Sequence, residues 1–81
     1  MKIEVLLFAQ LRETYGRDRL LVDLPTGSKV VDALDIVFKE PALMPLRALP
    51  LRYAINEEFG ATQNVLTDND QLAILTPVAG G

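Results

Sequence analysis

Apolar and polar residues alternate in short stretches of the chain, which is the pattern of β-strands with one face on a core. The strands predicted from the sequence cover residues 2–7, 19–24, 51–55, 61–63 and 71–76. In the first strand Ile3, Val5 and Leu7 share a face, and in the last Leu72 and Ile74 do. The sequence therefore predicts five strands, of which 61–63 is the shortest.

One long amphipathic helix is predicted after the second strand. Its apolar residues recur at helical spacing along one stripe, namely Val30, Val31, Leu34, Val37 and Phe38. Thr26 or Ser28 is predicted as the N-cap, because a hydroxyl oxygen accepts a hydrogen bond from the first helical turn. Pro41 ends the helix, since proline lacks the N–H that a further turn needs.

The remaining segments are predicted to form a second, short helix, a packed loop and two turns. The short helix covers residues 9–15, and the packed loop, with one short helical turn, covers residues 41–50. The turns cover residues 56–60 and 67–70. Asn69 is a candidate for a positive φ, because its short polar side chain tolerates the left-handed region.

The order of these elements predicts an α+β fold in which a mixed sheet wraps around the long helix. The first two strands form a hairpin, and the last strand lies parallel beside the first because a helix and a long connection separate them. This is the β-grasp architecture of ubiquitin-like proteins. We predict a β-grasp domain over residues 1–76 and a flexible C-terminal tail over residues 77–81.

Composition narrows the functional classes. The 81 residues are 49% hydrophobic and 23% charged, which fits one ordinary globular domain. A net charge of −3 without a basic run argues against nucleic-acid binding. The apolar stretch at residues 3–9 is interrupted by Glu4 and is too short for a signal segment or a membrane span. The expected location is therefore cytoplasmic, with no membrane partner.

The chain has no cysteine and no histidine. The first absence removes thiol catalysis, disulfides and thiolate metal sites, and the second removes the commonest general base. These two absences argue against a conventional hydrolase or zinc protein.

The C-terminal Gly80-Gly81 is the first candidate functional feature. Glycine allows close backbone approach, so a free Gly-Gly carboxylate can thread a narrow channel in a partner enzyme. Pro77 just before it stiffens the tail. The alternative is a frayed end without function.

A contiguous apolar patch is the second candidate, and it consists of Leu6, Phe8, Phe59, Ala73 and Leu75. Ala73 and Leu75 point away from the core if Leu72 and Ile74 point toward it. Phe8 either joins the patch or turns inward where the strand gives way to the short helix, and Phe59 is predicted in a turn. Such patches mark partner sites, whereas scattered surface hydrophobics are ordinary.

Charged residues give weaker signals. Glu57-Glu58 and the Asp68, Asp70 pair have the residue type of a cation site, but Asp-x-Asp is also what a tight turn needs, and no EF-hand spacing is present. We favour structural turns and predict no metal. Arg47 and Arg52 are candidates for steering an acidic partner.

Three segments make the chain resemble the small subunit of molybdopterin synthase, a ubiquitin-like sulfur carrier. They are residues 5–13 followed by Gly16, residues 53–56, and residues 66–81, the last being the most specific. The family usually has Gly where Asn69 stands and a Pro-Pro pair where Thr76-Pro77 stands. Neither departure removes the terminal glycines.

The resemblance implies a carrier that is itself non-catalytic. An ATP-dependent activating enzyme adenylates the carboxylate of Gly81, and a sulfur donor protein converts the adenylate to a thiocarboxylate. The tail residues Pro77, Val78, Ala79 and Gly80 then enter the active site of the large synthase subunit, which docks on the apolar patch. Sulfur passes to a pyranopterin precursor in molybdenum cofactor biosynthesis. No cofactor is bound permanently, and ATP is used by the activating enzyme.

The residues themselves agree with one part of this chemistry. Because the chain has no cysteine, it holds transferable sulfur only at its C-terminus or non-covalently. Three other functions stay open at this point. They are a carrier for thiamine or tRNA thiolation, a protein modifier conjugated through Gly81 to lysines, and a β-grasp interaction module with an idle tail. The closing segment favours the molybdopterin carrier.

Overall fold

The computed structural model describes residues 1–77, and the predicted tail residues Val78, Ala79, Gly80 and Gly81 lie outside this range. In chain order the elements are β1 (Lys2–Leu7), α1 (Ala9–Tyr15), β2 (Arg19–Asp23), α2 (Val30–Val37), a 3₁₀ helix (Met44–Ala48), β3 (Arg52–Ile55), β4 (Glu58–Gly60) and β5 (Gln71–Leu75). The division into a domain at 1–76 and a tail at 77–81 stays a prediction.

The five strands form one mixed sheet in the order β2-β1-β5-β3-β4. β1 and β5 pair in parallel, with Val5 opposite Leu72, and the other neighbours are antiparallel. The predicted α+β fold is confirmed, including the hairpin of β1 and β2 and the parallel placement of the last strand.

The core lies between one face of this sheet and α2. Ile3, Val5 and Leu7 of β1 are almost completely buried, as are Leu72 and Ile74 of β5. From α2 and the residue after it come Val30, Ala33, Leu34, Val37 and Phe38. Within residues 1–77, no helix covers the opposite face of the sheet.

The short helix α1 connects β1 to β2 at one end of the sheet. Its single buried residue is Leu11, and it stops at Gly16, whose φ of +84° is the left-handed conformation that glycine adopts at helix ends. The N–H of Leu7 donates to the carbonyl of Asp18 at 2.8 Å, which fixes the returning chain against the end of β1. The sequence prediction for this segment is confirmed.

The turn predicted over residues 56–60 is shorter than expected, and the strand predicted over residues 61–63 is wrong. Only Asn56 and Glu57 form the turn, because both have positive φ, 49° and 73°, as a two-residue type I′ hairpin turn requires. The fourth strand therefore begins at Glu58 rather than at Ala61. The residues predicted as that strand instead form a turn, in which the N–H of Ala61 donates to the side-chain oxygen of Asn64.

The predicted N-cap of the long helix is also wrong. The cap position is occupied by Lys29, whose N–H donates to Oδ2 of Asp32 at 2.8 Å. N–H groups of the first turn, which have no partner within the helix, are satisfied by a distant loop, because Val30 and Val31 donate to the carbonyls of Asn64 and Thr62, both at 2.9 Å. Carbonyl groups of a distant loop therefore take the place of the side-chain cap predicted at Thr26 or Ser28.

The loop prediction for residues 41–50 and the turn prediction at residues 67–70 are confirmed. Leu43 is fully buried ahead of the 3₁₀ helix, and Asn69 has a φ of +69°. Within residues 1–77 no helix has the length and hydropathy that crossing a bilayer requires.

Candidate functional site

An apolar row crosses the uncovered face of the sheet. The strand registers place Leu6 opposite Ala73, Ala73 opposite Ala54, and Ala54 opposite Phe59. The row thus spans β1, β5, β3 and β4. Two adjacent alanines form its floor, and the larger side chains of Leu6 and Phe59 stand at either side, so the face is shallowly concave.

Among residues 1–77, Phe59 is the most exposed large hydrophobic residue, at 74%. It lies in β4 and not in a turn, and its place opposite Ala54 brings it into the same face as Leu6. The predicted apolar patch is therefore assembled by the sheet, although the sequence interpretation of Phe59 was wrong about its local structure.

A second row lies nearer the tail. Leu75, the last residue of β5, is opposite Arg52 at the start of β3. Phe8 follows β1 with an extended backbone (φ −126°, ψ 158°) and is 39% exposed. Because extended backbone preserves the alternation of the strand, Phe8 continues on the outer side rather than turning into the core. The structure thus decides between the two placements left open for this residue.

The tail begins at the same end of the sheet as this second row. β5 runs parallel to β1 and ends at Leu75, and Pro77, the last described residue, is exposed. The predicted insertion residues Val78, Ala79 and Gly80 and the predicted carrier residue Gly81 lie outside the described residues. What the structure fixes is the base of the tail, beside the outer patch formed by Leu6, Phe8, Phe59, Ala73 and Leu75.

A groove of about 350 Å³ continues the patch toward the sheet edge. Its lining residues are Leu51, Arg52, Tyr53, Phe59, Gly60, Ala61 and Thr62. Burial raises the pKa of the Tyr53 phenol, and the positive charge of Arg47 opposes part of this shift. The phenol is therefore neutral at physiological pH and lines the groove as a hydrogen-bonding, uncharged group.

The carboxylates of Asp68 and Asp70 make structural hydrogen bonds, as predicted for a tight turn. Asp70 accepts hydrogen bonds from the N–H of Thr67 at 2.7 Å and from the amide of Asn56 at 2.8 Å, and Asp68 accepts one from the N–H of Lys2 at 2.8 Å. Their carboxylates close the turn before β5 and join it to neighbouring strands. Over residues 1–77, no three potential metal-ligating side chains group together.

The sequence did not predict that Ala54 belongs to the outer apolar row, or that Arg52 lies directly opposite Leu75. Strand alternation around Tyr53 places Ala54 on the outer face, but its contact with Phe59 depends on where β4 begins. Because β4 was predicted three residues too late, the register that joins them was not available from the pattern.

Comparison with known proteins identifies the family. The ThiS family model matches residues 5–81, nearly the whole chain. The chain belongs to the ThiS family. Curated relatives include the molybdopterin synthase sulfur carrier subunit of Arabidopsis thaliana, which is 38% identical over 82 residues that cover 100% of this chain and 84% of that protein. The resemblance found in the sequence is thereby confirmed.

Solved structures of ThiS-like proteins share the fold. The crystal structure of SAMP1 from Haloferax volcanii superposes with a TM-score of 0.87 and 32% identity, and it covers 100% of both chains. A complex of subunits 1 and 2 of molybdopterin-converting factor from Helicobacter pylori contains a chain with a TM-score of 0.76 over 100% of both chains. At 20% identity, that second likeness shows the fold alone. The predicted β-grasp architecture is confirmed.

Proposed function

We propose that this chain is the sulfur carrier subunit of a molybdopterin synthase. The observation that carries the proposal is the full-length similarity to curated carrier subunits, which extends through residue 81. The outer patch supports it, because an apolar surface beside the base of a Gly-Gly tail is suited to docking while the tail reaches into a partner.

The carrier site in this proposal is the carboxylate of Gly81. A carboxylate is a poor electrophile, so an ATP-dependent activating enzyme first converts it to an acyl-adenylate with release of pyrophosphate. A sulfur donor protein then supplies sulfur at the sulfide level, and this sulfur displaces AMP and leaves a thiocarboxylate on Gly81. No side chain of this chain is suited to catalyse either step, since it has neither cysteine nor histidine. We expect the chain to bind no cofactor permanently and to act in the cytoplasm together with its ATP-dependent activating enzyme.

The receiving partner in this proposal is the large subunit of the synthase. Its surface covers the outer patch, and Pro77, Val78, Ala79 and Gly80 lead Gly81 into its active site. Glycine at the last two positions allows the narrow passage, because no side chain widens the chain there. The pyranopterin precursor accepts the sulfur in that active site, and water hydrolyses the acyl–sulfur bond so that the carrier returns to the carboxylate form.

Reconstitution tests the proposal. Carrier bearing the Gly81 thiocarboxylate, mixed with large subunit and pyranopterin precursor, is expected to give molybdopterin in proportion to the carrier added. Carrier with an unmodified carboxylate is the matched control and is expected to give none. Product formation independent of the thiocarboxylate would contradict the proposed function.

Protein modification is the second candidate, because SAMP1 is a small archaeal modifier protein by name and is 32% identical to this chain. In this second function the carboxylate of Gly81 is activated in the same way, but a lysine amine of a target protein displaces AMP and forms an isopeptide bond with Gly81. Isopeptide-linked conjugates that disappear when Gly81 is deleted would favour this function over sulfur transfer.

A further inference from the structure

Arginines collect at the end of the sheet from which the tail leaves. Arg19 lies opposite Leu6 at the end of β1, and Arg52 lies opposite Leu75 at the end of β5. β2 and β3, which carry them, flank the central β1-β5 pair, so the two arginines are three strand spacings apart, about 14 Å. They stand on opposite sides of the tail base.

Two further arginines belong to the same end. Arg12 is in α1, which begins directly after β1, and Arg17 is in the connection that the bond from Leu7 to Asp18 holds against the end of β1. Together with Arg19 and Arg52 they are named here the exit arginines. All four are exposed.

Most of this positive charge is not neutralised by ion pairs. Among residues 1–77, no carboxylate lies within ion-pairing distance of Arg12, Arg17 or Arg52. Arg19 is 3.2 Å from Glu4 and 3.5 Å from Asp18, but its side chain is 58% exposed, so this pairing is weak.

The opposite end of the sheet is acidic. Asp23 ends β2, Asp68 and Asp70 precede β5, and Glu57 lies in the β3-β4 turn beside Asn56, whose N–H donates to the carbonyl of Gln71. Glu13 of α1 and Asp18 lie among the exit arginines, so four positive charges meet two negative ones at this end. The net charge of −3 is therefore unevenly distributed, with the excess of positive charge at the end from which the tail leaves.

We propose that the exit arginines guide the tail toward a partner whose channel mouth is rimmed by carboxylates, and that the large synthase subunit carries such a rim. The inference rests on the proposed function and adds the chemistry of the partner surface. Complementary charge steers diffusional encounter and raises association rates by factors of about 10 to 1,000. An acidic rim would repel a carrier with uniformly distributed negative charge. When the arginines surround the base of the tail, the same rim attracts that end of the carrier and orients the tail toward the channel.

The test compares two variants that lose the same charge at different ends. The double variant Arg17→Gln/Arg52→Gln removes two positive charges on the two sides of the tail base. The matched control Lys2→Gln/Lys29→Gln removes two positive charges at the far end of β1 and at the start of α2. Unchanged circular dichroism and thermal unfolding confirm that both variants fold.

Stopped-flow association with the large subunit at low and high salt gives the readout. The arginine variant is expected to associate about tenfold more slowly at low salt, with its dissociation rate changed less than about twofold. The difference is expected to vanish at high salt, and the lysine control is expected to slow association less than about twofold.

The possible failures are distinguishable. Equal slowing in both variants, faster association of the arginine variant, or an effect confined to dissociation would overturn the guiding role and leave the proposed function standing. Absence of any binding by the unaltered carrier would contradict the proposed function, and the guiding role with it.

Discussion

Leu6 of β1 lies directly opposite Ala73 of β5, across the parallel strand pair. This pairing joins the first strand of the chain to the strand that leads into the tail. It also sets the centre of the outer patch, because Ala73 is in turn opposite Ala54. One register therefore fixes both the docking surface and the point from which the tail departs.

Leu75→Asp is expected to weaken binding to the large subunit at least about tenfold, because it places a charge in the apolar outer patch beside the base of the tail. The substitution is on the outer face, so the free energy of unfolding should fall by no more than about 1 kcal/mol. Isothermal titration calorimetry measures the first effect and urea unfolding the second. Phe59→Asp is expected to act in the same way.

Leu21→Asp is the matched control for these two variants. Leu21 is 71% exposed on the same face of the sheet, but it lies opposite Glu4 and away from the tail. Its substitution should leave binding unchanged. Undiminished affinity in both the Leu75 and the Phe59 variants would remove the outer patch as the docking surface.

Asn56→Ala is expected to lower the free energy of unfolding by about 2 kcal/mol, because it removes two hydrogen bonds and strains a positive φ. The amide of Asn56 donates to Asp70 at 2.8 Å and accepts from the N–H of Gln71 at 2.9 Å, and its φ is +49°. Urea unfolding measures the loss. A loss no larger than that of an exposed-site substitution such as Leu21→Ala would contradict the bridging role.

Asn69→Val is expected to destabilise the protein by about 1–2 kcal/mol, whereas Asn69→Gly should change its stability by less than about 1 kcal/mol. The reason is the φ of +69°, which a β-branched side chain tolerates poorly. Thermal unfolding of the two variants gives the comparison. Equal stability of the two would mean that this turn relaxes to another conformation.

Tyr53 predicts how stability responds to alkaline pH. Burial raises the pKa of its phenol above 10.0, so the folded state favours the neutral form and gains stability that is fully present below pH 10.0. That stability is lost as the pH rises through the raised pKa. Urea unfolding from neutral to alkaline pH should therefore show a steeper loss for the unaltered protein than for Tyr53→Phe. If the free energy of unfolding of the two proteins fell in parallel with pH, the raised pKa of the Tyr53 phenol would be contradicted.

Much of this fold was predictable because its signals are local and periodic. The alternation of Ile3, Val5 and Leu7 predicted β1, and the spacing from Val30 to Phe38 predicted α2. The chain order then limited the topology, since the connection between β1 and β5 is long enough for parallel pairing. The outer patch followed from the same alternation in β1 and β5.

The errors arose where distant contacts override local preference. The helix N-terminus at Val30 is satisfied by carbonyls of Thr62 and Asn64, which no short-range pattern reveals. The β3-β4 turn uses Glu57 at a positive φ, a residue that rarely adopts it, so the hairpin looked like a longer turn. Three of the exit arginines, Arg12, Arg17 and Arg19, lie close together in the sequence, but Arg52 joins them only through the strand register.

Intact-mass spectrometry of the carrier, purified from cells that contain its native pathway, tests the central claim most directly. The account predicts a species heavier by one oxygen-to-sulfur exchange, mapped to Gly81 by fragmentation, and no such species when Gly81 is deleted. An unshifted mass, even after incubation with activating enzyme, ATP and a sulfur donor, would contradict the assignment of this chain as a sulfur carrier.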